Sequence, residues 1–304
     1  MAAEVRDSSG EPSFAPGSSK PRRGFPPPAG LSVVATPIGN AGDITLRALD
    51  TLARVAAVIC EDTRITAKLF AIHGIHAPMV AYHDHNAERV RPQILARLKA
   101  GEALALVSDA GTPLVSDPGY KLVRACLEAG IKVTALPGPS AVLAALVLAG
   151  LPTDRFCFLG FLPAKAGARR AEIATLKTIP ATLVIYEGPT RLAECLGDLA
   201  ELLGDRPAAV MREMTKRFEE ARRGRLADLA RHYAGTQAPK GEIAIVIGPP
   251  DAAKEAPAAA EIDALLRKAL AGASLRDAVD AVAAATGLNR RAVYQRALAL
   301  DKSP

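Results

Sequence analysis

No apolar run in this chain is long enough to cross a bilayer. The longest, AVLAALVLAGL from Ala141 to Leu151, falls well short of the roughly 20 residues required and reads as a buried helix. The cysteines at positions 60, 126, 157 and 195 form no C-x-x-C pair and no disulfide-scaffold spacing, which points to reduced core thiols in a cytoplasmic protein. A nucleophile elbow, a Walker loop and a Ser-His-Asp pattern are also missing, so the chemistry is of another kind. Residues 1–30 lack the apolar core of a signal peptide and are rich in Pro, Gly and Ser; a disordered tail is expected there. There is no internal repeat.

What is present is a chain of 304 residues, 49% hydrophobic and 23% charged, enough for two domains with substantial cores. The formal charge of +6 favours a polyanionic partner. Its excess gathers in MREMTKRFEEARRGRL (Met211 to Leu226) and around Arg290 and Arg291. From 31 to 150, β-branched runs at 31–35, 57–60, 103–108 and 131–136 alternate with helical stretches near 44–55, 87–100, 119–129 and 140–149. Such alternation implies a parallel α/β sheet with right-handed crossovers. After a break at Gly150-Leu151-Pro152, a second alternating α/β unit occupies 151–248, with strands at 156–162, 181–186, 208–211 and 242–247. Residues 249–260 read as a linker, and 261–304 as a helical segment in which Ser274 and Asn289 cap successive helices around a Thr286-Gly287 turn. That arrangement suits either a helix-turn-helix nucleic-acid reader or a simple helical cover.

Three loops leave strands at the carboxyl edge of the first domain, where open α/β sheets bind ligands. The first, TPIGNAGD (residues 36–43), resembles a dinucleotide turn, with Asp43 as the cap of the next helix and Glu61-Asp62 ending the following strand, but it has two glycines where the fingerprint has three. Pro37 also removes an amide that a phosphate would use. A nucleotide-like ligand without a phosphate is therefore to be considered. In the second loop, Leu106 to Gly119, Asp117 reads as a cap ahead of Pro118, whereas Asp109 leaves a buried strand with no helix after it and is a better ligand contact. In the third, LPGPSA (136–141), Ser140 caps the following helix. His73, His76, His83 and His85 read as surface residues of connecting loops rather than a metal set, and no metal is expected.

The stretches VVATPIGNAGDIT, CEDTR, YHDHN, VSDAGTPLVSDPG, PGPSA, FLP, IYEGPTRL, REMTK and KGEIAIVIG occur in this order. Together they resemble the ribosomal RNA small subunit methyltransferase I family, part of the tetrapyrrole methylase superfamily. The resemblance covers about 31–248, and the C-terminal segment resembles that family's helix-turn-helix appendix. It implies two α/β domains of the tetrapyrrole methylase (class III methyltransferase) type, with S-adenosylmethionine held in the cleft between them. It implies further an enzyme that methylates the ribose 2′-oxygen of a cytidine in the decoding region of 16S rRNA. Its partner is then 16S rRNA or the small ribosomal subunit, with no membrane, and a homodimer is expected. The alternative is a methylase of a tetrapyrrole or another small substrate.

Carried over by position, Pro37, Gly39, Asp109, Gly111 and Thr112 would contribute to the cofactor site, Asp109 and Thr112 meeting the methionine part, and Ser140 with Ala141 would line the cleft. Tyr186 and the segment around Met214 would come from the second domain, with Glu242 and Ile243 near the adenine. Thr190 stands where the pattern has a histidine. Glu213 is the first candidate for the base that takes the hydroxyl proton and Lys216 the second, although Glu213 could equally be a partner of Arg212 or Lys216. Arg217, Arg222, Arg223, Arg290 and Arg291 are the expected RNA contacts.

Overall fold

A computed structural model of the protein describes residues 27–250, 259–286 and 288–300. Most of the expected N-terminal tail and linker, and Gly287 of the expected turn, lie outside the described residues. The described chain divides into two compact units: one runs to Ala144 and takes in Met214–Arg217, the other spans Ala145–Glu213 and resumes at Phe218. The division falls inside helix α5 (Ala141–Ala149), ahead of the sequence break at Gly150, and it assigns Met214 to the first unit rather than the second.

In the first unit, strands β1 (Gly30–Val34), β2 (Ala57–Cys60), β3 (Met79–Ala81), β4 (Ala103–Val107) and β5 (Val133–Leu136) form one sheet in the order β3-β2-β4-β1-β5. Every pairing is parallel, as the alternation predicts. Side chains alternate across the strands, so Leu31, Ile59, Leu104 and Leu106 enter one core. There they meet Val90, Ile94 and Leu98 of α3 (Ala87–Lys99) and Leu122 and Cys126 of α4 (Tyr120–Glu128). On the other face Val34, Val58, Cys60, Ala105 and Val107 meet Leu52 of α1 (Leu46–Leu52) and Phe70 of α2 (Thr63–His73). A parallel sheet covered on both faces needs such nearly continuous apolar strands.

Local chemistry corrects two expectations. Asp43 does not cap a helix: Asn40 caps the short 3-10 turn Ala41–Asp43, and the Thr45 hydroxyl accepts the Ala48 N–H at 3.1 Å to start α1. Asp117 does not cap α4, whose N-cap is Gly119, without a side-chain bond.

The second unit is mixed rather than parallel. Its strands β6 (Phe156–Phe161), β7 (Thr182–Glu187), β8 (Pro207–Arg212), β9 (Glu220–Arg225) and β10 (Ile243–Ile247) order as β6-β7-β10-β8-β9. Only β6 and β7 pair in parallel; β10 runs antiparallel between β7 and β8, and β9 folds back antiparallel on β8. The connection from β8 to β9 is too short for a crossover, so the return must be antiparallel. The core forms from Leu183, Ile185 and Ile245 with Ile173 of α6 (Ala166–Thr175), Leu196 and Leu199 of α7 (Leu192–Leu203) and Leu229 of α8 (Leu226–Ala234).

Helices α9 (Ala259–Leu270), α10 (Leu275–Thr286) and α11 (Arg290–Leu300) share a core of Ile262, Leu266, Val279, Val282, Val293 and Ala297. The Ser274 hydroxyl accepts the Asp277 N–H at 3.2 Å, and Asn289 accepts the Arg291 N–H at 2.8 Å, so both expected caps form. Among the described residues no helix is long and apolar enough to cross a membrane.

Candidate functional site

All five strands of the first unit end at one edge, and their loops are knitted there by backbone bonds. Thr36 donates its N–H to the Gly111 carbonyl at 2.8 Å and accepts the Gly111 N–H at 3.0 Å, joining the loops after β1 and β4. The buried Thr36 hydroxyl donates to the Ser108 carbonyl at 3.0 Å. Thr112 donates to the Pro139 carbonyl at 3.1 Å, which brings in the loop after β5. Ser140 caps the helix Ala141–Ala149 through a long bond, 3.5 Å, from the Leu143 N–H. Pro37, Gly39, Asp109, Gly111, Thr112, Ser140 and Ala141 thus stand on three loops of one edge.

The same edge receives Met214–Arg217. Glu213 and Thr215 have φ of +50° and +66°, the left-handed region that non-glycine residues seldom enter, and between them Met214 is buried. The Thr215 hydroxyl accepts the Asn40 N–H at 3.2 Å. The Lys216 stem lies so close to Gly39 that a Cβ there would come within 2.4 Å of Lys216 Cγ. Lys216 is therefore a neighbour of the first loop, which its distance in sequence does not suggest.

Carboxylates concentrate beside these loops. Asp109 accepts the Asp62 N–H at 3.1 Å, so this residue has a structural partner as well, and burial raises its pKa. Asp62 also caps α2, accepting the Arg64 N–H at 2.8 Å. Burial pushes Asp117 up to about 6, with the charges of Glu61 and Asp109 adding to the effect and Ser108 opposing it. Glu61 is raised by burial first and then by Asp109 and Asp84. Close, partly desolvated carboxylates of this kind favour a cationic ligand and oppose an anionic one. His73 meets the Ala41 carbonyl at 3.0 Å, and the rings of His83 and His85 lie 6.0 Å apart. Among the described residues no cluster of His, Cys, Asp or Glu has the arrangement of a metal site.

The second unit gathers its own candidates at one sheet edge. Ile243, opening β10, pairs in register with Glu187 at the end of β7 and with Arg212 at the end of β8. Tyr186 stacks edge-on with Phe158 at 4.8 Å and Phe161 at 5.7 Å. Glu213 donates its N–H to the Glu242 carbonyl and accepts the Glu242 N–H on Oε1, both at 3.0 Å. Gly241, at φ +104°, admits this clasp, since a Cβ there would lie 2.5 Å from the Glu213 carboxyl. The Glu213 carboxylate is thereby engaged with backbone.

Glu187 was not singled out by sequence reasoning. Its side chain is fully buried; Oε1 accepts the Gly188 N–H and pairs with Arg191, each at 2.6 Å, while Oε2 has no hydrogen-bond partner. Arg191 also donates to the Leu162 carbonyl at 3.3 Å, fastening the loops after β6 and β7 together. Burial and the neighbouring Glu187 raise the Cys195 thiol, which stays protonated. The available signal was a single carboxylate closing an apolar strand. Thr190, in the 3-10 turn Pro189–Arg191, is exposed.

The basic residues divide. Arg212 and Arg222 both pair with Glu220, at 3.0 and 3.4 Å; Arg225 pairs with Asp205 at 3.1 Å. Arg223 donates through Nε to the Leu148 carbonyl at 2.9 Å. Arg290 is held by Asp280, with one contact at 3.3 Å, whereas Arg291 is exposed on α11. Arg217 is exposed as well.

Comparison with known proteins gives a consistent result. Residues 30–230 match the model of the tetrapyrrole (corrin/porphyrin) methylases, and residues 256–301 that of the RsmI C-terminal HTH domain. The chain is 51% identical over 271 residues to a ribosomal RNA small subunit methyltransferase I of Mesorhizobium japonicum, covering 89% of this chain and 92% of that protein. It is 47% identical over 278 residues to one of Micromonospora olivasterospora, covering 90% and 88%. In fold it is similar to the uroporphyrin-III C-methyltransferase of Thermus thermophilus complexed with S-adenyl homocysteine, with a TM-score of 0.51 at 22% identity over 71% of this chain and 96% of that one.

Proposed function

Because the chain belongs to the ribosomal RNA small subunit methyltransferase I family, within the tetrapyrrole methylases, we propose that it methylates the ribose 2′-oxygen of a cytidine in the decoding region of 16S rRNA. S-Adenosylmethionine would supply the methyl group on an activated sulfonium. The reaction takes place in the cytoplasm, on 16S rRNA or the small ribosomal subunit. The observation that carries the reading is the first unit's edge, where loops tied through Thr36, Gly111, Thr112 and Pro139 stand beside partly buried Asp109, Asp117 and Glu61. That edge suits a cationic, phosphate-free cofactor. Pro37, Gly39, Asp109, Gly111, Thr112, Ser140 and Ala141 hold it from this unit. A homodimer is proposed as the working assembly.

Methyl transfer to a hydroxyl needs an aligned oxygen, exclusion of water and a group to take the proton. Of the two candidate bases, Lys216 is favoured because its stem lies against the first loop, beside Gly39. Arg217, Arg222 and Arg291 are the favoured phosphate contacts: all three are exposed, and Arg222 shares Glu220 with Arg212 at 3.4 Å, whereas Arg223 donates to the Leu148 carbonyl and Arg290 is held by Asp280. The assay is methyl transfer from S-adenosylmethionine to small subunits from cells lacking this protein, read by mass spectrometry of nuclease-digested 16S rRNA. Unchanged 2′-O-methylcytidine content would defeat the assignment. Lys216→Met should lower kcat about a hundredfold and Glu213→Gln much less; the reverse order would return the role to Glu213.

A further inference from the structure

Arg64 stands at the second position of α2, just after strand β2. A cation there faces the positive end of the helix macrodipole, where acidic side chains are the stabilising choice. The helix cap does not need it either, because Asp62 accepts the backbone N–H of residue 64 whatever its side chain. Yet this side chain, 86% exposed, is held in place. Its Nε donates to Asp62 Oδ1 at 3.0 Å and its Nη2 to Asp62 Oδ2 at 2.6 Å. Asp62 is fixed in turn, since its N–H is bonded to Asp109 at 3.1 Å. The charge of Asp109 also acts on the guanidinium, after that of Asp62. All three residues belong to the first unit, and Asp109 is one of its candidate cofactor ligands.

A guanidinium carries five N–H groups in one plane, and here the Nε–Nη2 edge is spent on Asp62. The Nη1–Nη2 edge has no partner among the described residues, and its two parallel N–H groups form the fork that fits two oxygens of a phosphate. Along the same edge of the unit stand Glu61, Asp109 and Asp117, whose charges act on one another and oppose a polyanion. A nucleic acid brought to these loops needs a fixed cation to meet it, which an ordinary solvated ion pair would not supply. We infer that the outer edge of Arg64 receives a backbone phosphate of the rRNA substrate, and that the chain from Asp109 through Asp62 holds that edge in register with the candidate cofactor loops. This rests on the proposed activity toward 16S rRNA and adds a substrate contact to it.

The test compares variants of the full chain in binding titrations with unmethylated small subunits at several salt concentrations. Arg64→Ala should weaken binding about tenfold, the range for losing one charged hydrogen-bonded contact. Its salt slope should fall by about 0.7, one single-stranded phosphate. Melting temperature and affinity for S-adenosylmethionine, read by calorimetry, should match the parent protein. Arg64→Lys keeps the charge without the fork and should recover the slope but stay about threefold weaker in affinity. Asp62→Asn preserves the helix cap, since Asn caps as well as Asp, but loosens the guanidinium. It should therefore weaken subunit binding although it removes a negative charge. Parent-like subunit affinity and slope for Arg64→Ala would overturn the inference, as would a lysine variant equal to the parent or tighter binding by Asp62→Asn. So would weaker S-adenosylmethionine binding at unchanged subunit affinity, which would assign the fork to the carboxylate of the cofactor. If the parent protein binds small subunits but transfers no methyl to them, the proposed activity fails, while the affinity comparison still decides the role of Arg64.

Discussion

Gly39→Ala tests whether Lys216 is seated by the first loop. Gly39 is not among the residues with positive φ, so alanine meets no backbone obstacle there and any effect must come from what its Cβ touches. That atom would sit 2.4 Å from Lys216 Cγ and 2.9 Å from the Thr215 hydroxyl, against an ordinary separation of about 3.5–4 Å. Lys216 must move by roughly 1 Å or more. Its stem is flexible, but Thr215 is tied to the Asn40 N–H at 3.2 Å in a left-handed conformation, so the segment cannot simply slide away. Losing that bond and crowding the loop should cost about 1–2 kcal/mol in urea denaturation. Activity should fall further, about a hundredfold in kcat, because an ångström of misplacement is enough to spoil alignment. A double-mutant cycle with Lys216→Ala isolates the contact: alanine at 39 should cost about 1 kcal/mol less stability once Cγ is gone. Strict additivity of the two stability changes, or a Gly39→Ala enzyme with parent kcat, would refute the seating of Lys216 by Gly39.

Asp117 carries a pH signature. Its folded pKa of about 6 lies above the ordinary carboxylate value, so the folded state holds its proton more tightly than the unfolded chain does. That contribution to stability is present below about pH 4 and is lost as pH rises through 6, and burial shifts the neighbouring Glu61 and Asp109 in the same direction. Thermal melting should show Asp117→Asn more stable than the parent at pH 7–8 and converging with it near pH 4; an unchanged difference across that window would contradict the account. For the arginines, Arg222→Ala should reduce the salt slope of rRNA binding by about 0.7, one single-stranded phosphate, without affecting cofactor affinity. Arg223→Ala should leave the slope alone and instead cost about 1 kcal/mol of stability through the freed Leu148 carbonyl, readable in the same binding titration and a urea melt.

The first unit was largely legible because its long strands are predominantly apolar and the loops after them have turn residues at a strand end. Its missed elements have weak local signals: β3 is three half-buried residues, and α2 buries only Thr66 and Phe70 along a mostly polar stretch. Strand β9 was hidden because EARRGR reads as a charged surface run, yet as an edge strand it can afford charges on the side that faces water. The mixed order of the second sheet could not be read from alternation alone, since β10 inserts between two strands that precede it. At the candidate site, residue types picked out three loops that the structure brings to one edge, but pairings over long sequence distances were invisible: Gly39 with Lys216, Asp109 with the Asp62 amide, Arg223 with Leu148. Each depends on side chains meeting after the sheet has formed.

The Thr36-Pro37 turn makes physical sense once its amides are counted. A dinucleotide turn works by leaving backbone N–H groups free to converge on a pyrophosphate. Here the Thr36 N–H is spent on Gly111, the Gly111 N–H on Thr36, the Asn40 N–H on Thr215 and the Gly42 N–H on Asn40, while Pro37 has none to give. At the end of the neighbouring strand β2, the Asp62 N–H goes to Asp109 and the Arg64 N–H to Asp62. The carboxylates that take these amides add negative charge where a phosphate would have to approach. Amides spent internally stiffen the loops and leave fewer to converge on a pyrophosphate, which suits a ligand that carries a sulfonium and no phosphate. Among α/β folds with a strand, turn and helix at the site, the choice between a phosphate-bearing and a phosphate-free cofactor thus rests on whether the turn's N–H groups are already bonded to protein.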